Sequence, residues 1–461
     1  MKENSWRDFQ SDYIVKKKKK TLFLKTIKAT IASGILMLLI AGIYFFKNQV
    51  PENNDTFQGT RKEDPARSEP QASEAQNRLS RAQLKDIISN INFIHTDKNI
   101  FSVDAPEASY KIKTSIDVYL QEYLLSLLDR LKKLTRGKPQ RIAFVVMEAD
   151  TGKIIAMTGF DLENPDANPC IESDYPAASI FKIVTASAAV ETLGYTPQTQ
   201  LYFNGNKYTL YKRQLKNVKN KYTYKISFSR AFAESVNPVF GKIGKNYLGK
   251  EKLESYAAAF GFNRIIHSEL PFVSGNFKTN SNEYHLAELG CGFNNDTTLS
   301  PLFGAMLISG VVNSGNIMLP SIVEQVTDAD GKIIYKNKKT TYITAIKPET
   351  AATMMQLMEK TISTGTARKS FRGASKDNVL STLVLGGKTG SLYNKNNTVK
   401  YDWFTGFGKE KKTNNLKVTR KKIALSIIVG HRKYIGTRAS IYAKMILKKY
   451  FKKNTAKTAQ L

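Results

Sequence analysis

A serine placed three residues ahead of a lysine is the feature of this sequence best suited to chemistry. Ser179-Ile180-Phe181-Lys182 is its one SxxK pattern, and Lys388-Thr389-Gly390, followed by Ser391, is its one KTG. Between them stands Ser235-Val236-Asn237, an SxN. That pattern recurs at Ser274-Gly275-Asn276 and Ser314-Gly315-Asn316, where the central glycine reads as a turn; only Ser235 lies in an apolar helical stretch, AFAESVNPVFGKIG. On a helix, residues three apart share a face, so Ser179 and Lys182 can touch. A serine hydroxyl is a poor nucleophile until a base takes its proton. A lysine of ordinary pKa, about 10.4, is already protonated at neutral pH and cannot be that base. Burial and a second cation, for which Lys388 is the candidate, would favour the neutral amine. A serine at a helix N-terminus also has backbone N–H groups aimed at a developing oxyanion, and Pro176 suits such a helix entry.

These residues need elements that hold them. Structure is expected to resume at 82–93, and a helix is predicted over 179–193, with others at 350–362, 115–134 and 438–451. In the second of these, Ile116, Leu120, Tyr123, Leu124, Leu127 and Leu131 share one face. The apolar runs RIAFVVME (141–148) and KIIAMT (153–158), joined by Ala149-Asp150-Thr151-Gly152, read as a hairpin. Three more strands are expected at 382–388, 403–408 and 423–429, after a largely helical middle that runs to about 315. Strands from both ends around a helical middle predict an α+β fold with one sheet built from distant segments.

Upstream, residues 29–46 read ATIASGILMLLIAGIYFF, long and apolar enough for one membrane-spanning helix. The lysine run at 16–20, with Lys25 and Lys28, precedes it, so the N-terminus is expected inside and everything after Lys47 outside. Tyr44-Phe45-Phe46-Lys47 closes the run where a cleaved signal would carry small residues, so the expectation is an uncleaved anchor. Residues 48–81, polar and with Pro51, Pro65 and Pro70, read as a tether.

Seventy Lys+Arg against 39 Asp+Glu give a formal net charge of +31, which favours anionic partners. Nucleic acid is not expected: there is no RNP-like aromatic motif, zinc-finger spacing or zipper beside a basic stretch. The cations read mainly as solvated faces, while the run at 16–20 and the tail cluster Lys448, Lys449, Lys452 and Lys453 suit anionic head groups. Cys170 and Cys291 belong to no CxxC or Cys/His cluster and the four histidines form no HExxH, so no metal and no cofactor are expected. Outside the cytoplasm a Cys170–Cys291 disulfide stays open as an option.

The three motifs in this order, with their surroundings, resemble the transpeptidase domain of penicillin-binding proteins, which shares them with the serine β-lactamases. The resemblance runs from about Lys111 to Phe451. It includes TSID (114–117), VVMEADTGKIIAM, YPAASIFKIVTASAAVE, LGCGFNNDTTLSPLFGAMLISGVVNSG (289–315), STGTA (363–367), GGKTGSLYN and DWFTGF. It implies a central antiparallel sheet flanked by helices plus a helical subdomain. Together with the membrane signal it gives an expected layout of basic cytoplasmic segment (1–28), anchor (29–46), extracytoplasmic tether and short N-terminal segment (47–110), transpeptidase domain (111–452) and basic tail (453–461). It implies that Ser179 attacks the carbonyl of a D-alanyl-D-alanine stem peptide, with Lys182 as general base. Ser235 would relay a proton to the leaving amine, and Asn237 would bind the substrate amide. Lys388 and Thr389 would hold the terminal carboxylate, with Gly390 beside them, and the N–H groups of Ser179 and Ser391 would form the oxyanion hole. β-Lactams would acylate the same serine, and a glycosyltransferase would be a partner in the bacterial cytoplasmic membrane. Ser391 stands where the family often has threonine, and Cys291 where it usually has glutamine. Residues 47–110 leave no room for a glycosyltransferase domain or a full N-terminal pedestal, so a monofunctional D,D-transpeptidase is expected. The alternatives are a D,D-carboxypeptidase or β-lactamase, and a silent scaffold or β-lactam sensor.

Overall fold

A computed structural model describes residues 79–105, 108–280, 282–411 and 421–458. The expected cytoplasmic segment, the span 29–46 and the tether up to residue 78 lie outside them, as do the last three residues of the tail. Among the described residues no helix is long and apolar enough to cross a membrane.

The first elements are helix α1 (Arg81–Ile87), strands β1 (Ile100–Ala105) and β2 (Ala108–Thr114), helix α2 (Val118–Lys132) and the hairpin β3 (Arg141–Glu148) and β4 (Ile154–Asp161). A 3-10 turn (Ala178–Phe181) leads into α3 (Lys182–Leu193). The middle holds a small hairpin, β5 (Gln200–Phe203) and β6 (Tyr224–Ser227), then α4 (Phe228–Ala233), α5 (Asn237–Lys242), a π-helical turn (Ile243–Leu248) and α6 (Gly249–Phe260). A second small hairpin, β7 (Ile265–Ile266) and β8 (Phe272–Val273), precedes α7 (Glu283–Cys291) and α8 (Pro301–Val312). The chain ends with β9 (Asn316–Met318), β10 (Val323–Thr327), β11 (Ile333–Lys336), β12 (Thr341–Thr344), α9 (Pro348–Ser363), β13 (Leu383–Tyr393), β14 (Lys400–Glu410), β15 (Lys422–His431) and α10 (Ala439–Thr458).

The central sheet is antiparallel in the order β13-β14-β15-β3-β4, so the hairpin near the start joins three strands from near the end, as the sequence predicts. β3 and β15 read as unbroken apolar runs because both of their faces are covered. Ile142, Phe144 and Val146 pack with α2 and α10 through Leu124, Leu128, Tyr442 and Leu447. Ala143, Val145 and Met147 face the other core, where α8 is buried at every position. α2 starts where Asp117 caps it by accepting from the Leu120 N–H, and it ends with Arg130 and Lys132 in its last turn.

Three outcomes differ from expectation, and one open option is settled. A second antiparallel sheet, β1-β2-β10-β11, has no counterpart in the sequence reading. The helical middle is interrupted by the two small hairpins. The helix expected at 179–193 opens with a 3-10 turn, and α-helical geometry begins only at Lys182. Cys170 and Cys291 are both free and buried, with Cys170 Sγ directed at the Phe144 and Thr158 carbonyls and Cys291 Sγ at that of Glu288, so the disulfide option is closed.

Residues 79–105 and 108–110 pack on this body. Leu84, Ile88, Phe93 and Ile94 enter the main core. The buried Gln121 amide donates to the carbonyls of Phe93 and Met157 and accepts from the Met157 N–H.

Candidate active site

Three segments far apart in sequence meet at Ser179. The 3-10 turn is suited to its task, because three residues per turn stack positions i and i+3 more directly than an α-helix does. Lys182 Nζ sits 2.7 Å from Ser179 Oγ, 2.8 Å from Asn237 Oδ1 and 2.7 Å from the Cys291 carbonyl oxygen. The Lys182 side chain is wholly buried. Burial disfavours the ammonium and brings its pKa down to about 8. The partners agree with a neutral amine. An amide oxygen and a carbonyl can only accept, so they take its two N–H bonds, and the lone pair is left facing the Ser179 hydroxyl.

The second cation lies on β13. Lys388 Nζ is 3.0 Å from Ser235 Oγ and 2.9 Å from the Thr389 carbonyl, and its side chain is also wholly buried. Burial first, and repulsion from Lys182 second, hold Lys388 well below the usual lysine range. Lys388 is not what neutralises Lys182; burial is the main cause at both amines. Two amines in one dry site resist carrying charge together.

Ser235 is not within a helix, as the apolar stretch suggests. It occupies the break between α4 and α5 with φ of 59°, a left-handed conformation that non-glycine residues rarely adopt. The break turns its hydroxyl to Lys388 and lets Asn237 open α5 beside Lys182. Asn237 is fixed from both ends: its N–H donates to the Lys207 carbonyl and its Nδ2 to that of Tyr208.

Two glycines allow close approach. Gly292, with φ of 69°, caps α7 against the nucleophile turn; a Cβ there would lie 1.8 Å from the Ala178 carbonyl oxygen. A Cβ at Gly390 would come within 3.3 Å of Ser179 N, so β13 runs directly past the nucleophile. Thr389 and Thr366 join hydroxyls at 2.5 Å, and Ser391 is exposed. All eight residues singled out from the three motifs thus meet here: Ser179 on the turn and Lys182 at the start of α3, Ser235 in the α4–α5 break and Asn237 at the start of α5, and the other four on β13.

The Cys291 carbonyl, the Tyr208 carbonyl and the Thr366 hydroxyl join the site without being among the residues expected from the sequence. The carbonyls leave no side-chain trace; Thr366 lay within STGTA. His285 is a structural residue, with Nδ1 3.3 Å from Glu288 and Nε2 3.2 Å from the Lys278 carbonyl. Among the described residues no group of three or more His, Cys, Asp or Glu side chains could hold a metal ion. The assembled groups can generate a serine alkoxide, receive its proton and pass a proton on through Ser235.

Comparison with known proteins agrees with this geometry. Residues 142–445 match the family described as penicillin binding protein transpeptidase domain. The peptidoglycan D,D-transpeptidase PbpA of Mycolicibacterium smegmatis is 28% identical over 253 residues, which cover 48% of this chain and 50% of that protein. The chain therefore spans half the length of that relative. Penicillin-binding protein A of Mycobacterium tuberculosis, solved as a penicillin G acyl-enzyme complex, superposes with a TM-score of 0.56 at 21% identity, covering 73% of this chain and 79% of that one. Penicillin-binding protein 3 of the same organism gives a TM-score of 0.60 at 18% identity, covering 75% and 79%. With the matched segment taking in all three motifs and more than half of the residues, the chain belongs to the penicillin-binding protein transpeptidase family.

Proposed function

We propose that the protein is a serine D,D-transpeptidase that cross-links peptidoglycan stem peptides and is acylated by β-lactams. The observation that carries this reading is the Lys182 amine, buried, with two acceptor-only partners and the Ser179 hydroxyl as its third. Lys182 takes the Ser179 proton as Oγ attacks the penultimate D-alanyl carbonyl. The N–H groups of Ser179 and Ser391 hold the oxyanion. As the tetrahedral intermediate collapses, the C–N bond breaks and the proton taken by Lys182 passes through Ser235, whose hydroxyl Lys388 holds in place, to the departing D-alanine amine. Thr389 binds the terminal carboxylate, and Asn237 meets the donor's amide. The amine of a second stem peptide then attacks the acyl-serine, restoring Ser179 and forming the cross-link. β13 is an edge strand of the central sheet, which suits an extended peptide lying along it. Residues 29–46 are the single anchor, with the N-terminus in the cytoplasm and the catalytic domain on the outer side of the bacterial cytoplasmic membrane. A separate glycosyltransferase supplies the glycan strands.

Fluorescent penicillin and intact mass on the full chain in detergent test this reading, with Ser179→Ala alongside. One stable adduct per chain, absent from the variant, is the expected result. No adduct on folded protein would make the chain a scaffold, and an adduct that turns over to hydrolysed drug would make it a β-lactamase.

A further inference from the structure

Outside the catalytic cleft, a cavity of about 330 Å³ opens between the β5–β6 hairpin and α5. Lys242, the last residue of α5, lines it and is only 7% exposed. Its Nζ has one acceptor among the described residues, the Tyr202 carbonyl at 3.3 Å. No carboxylate among them offsets the charge, and burial alone lowers its pKa. A buried lysine is costly unless it is paired. The cavity is also lined by Tyr195, Tyr202 and the exposed Tyr247. Between β5 and β6 the segment 204–223 carries Lys207, Lys212, Arg213, Lys216, Lys219 and Lys221 and no Asp or Glu, and its residues 217–219 line the cavity. One of these, Lys207, is paired with Glu234; Lys219 lines the cavity, with its Nζ 4.2 Å from the Tyr202 ring centroid. A cationic rim draws anions toward such a mouth.

We propose that this cavity is a second binding site, taking a small ligand that presents one carboxylate or phosphate group to Lys242 and a flat or apolar body to the three tyrosines. The oxyanion completes the ammonium's empty positions and can accept from the tyrosine hydroxyls. The volume lies at the lower end for small-molecule sites, which limits the ligand to roughly the size of a benzoate. Because Lys242 and Asn237 end the same short helix, occupancy stiffens the segment that carries Asn237.

The full chain in detergent, titrated by calorimetry with benzoate and separately with inorganic phosphate, tests the site. Saturable binding of at least one is expected, and Lys242→Met should weaken it at least about tenfold, the loss of a charge-assisted contact. Tyr247→Phe should weaken it a few-fold while leaving the thermal melt unchanged. Benzoate without phosphate would assign a carboxylate ligand, and phosphate alone a phosphorylated one. Failure of both to bind at millimolar concentration, or undiminished binding to a folded Lys242→Met protein, would overturn the proposal. Penicillin labelling of Ser179 is a separate readout, so this site and the acyl-serine reading stand or fall independently.

Discussion

If Lys182 is the base, acylation must follow the neutral fraction of a buried amine. With a pKa brought down to about 8, roughly a tenth of the amine is neutral at pH 7, half at pH 8 and nine tenths at pH 9. The second-order rate of penicillin acylation should therefore rise about tenfold between pH 7 and pH 9 and flatten above that. A lysine left at its ordinary value would give a rise of about a hundredfold over the same interval with no plateau. Stopped-flow or gel-based labelling across pH 6–10, on the full chain, separates the two. A rate that stays flat would remove Lys182 from the role of base. A rate still climbing tenfold per pH unit beyond pH 9 would mean that the site does not desolvate it. The same shift has a stability side. The folded pKa lies below the unfolded one, so the unfolded chain binds more protons and stability rises with pH through this group. The penalty is full below pH 8 and gone above about 10.5, and it amounts to about 3 kcal/mol. In urea unfolding, Lys182→Met should gain on the wild type below pH 8 and lose that gain as pH climbs to 10.5. A gap independent of pH would refute the lowered pKa even if the kinetics were right.

Other substitutions probe the frame around these amines. Cys291 contributes its carbonyl, not its thiol, to Lys182, so Cys291→Ala should keep the acylation rate within about twofold while costing about 1 kcal/mol of packing, read by labelling and by urea unfolding. Gly292→Ala should lower the acylation rate at least about tenfold and depress the melting temperature, because both its φ of 69° and the Ala178 carbonyl oppose a Cβ. Arg141 lies 2.5 Å from the fully buried Asp161 side chain and 3.3 Å from Asp174, with Tyr175 under its guanidinium. Arg141→Met should cost about 3 kcal/mol in urea unfolding, since it strands the buried carboxylate.

Side-chain chemistry was the legible part of this site. SxxK, SxN and KTG announce themselves because serine, lysine and asparagine are chosen for what their side chains do, and the helix and strand periods around them follow from which faces are buried. The long apolar runs of β3 and β15 gave the central sheet for the same reason. Backbone roles were not legible. The Cys291 and Tyr208 carbonyls fix Lys182 and Asn237, yet any residue supplies a carbonyl, so nothing in the sequence marks them. The left-handed Ser235 defeats local reading in another way: the apolar stretch around it favours continuous helix, and the break is held by tertiary contacts, among them Lys388 from 153 residues away. The sheet β1-β2-β10-β11 escaped because its strands are half-exposed and short, with Lys111 and Lys113 on β2, and because β2 meets β10 only across two hundred residues. One physical division accounts for both the successes and the misses. Where the fold uses a side chain, the residue type records it; where it uses a backbone atom or a long-range pairing, only the three-dimensional arrangement does. That division also explains the tolerance expected at Cys291, where the carbonyl, and not the thiol, positions Lys182.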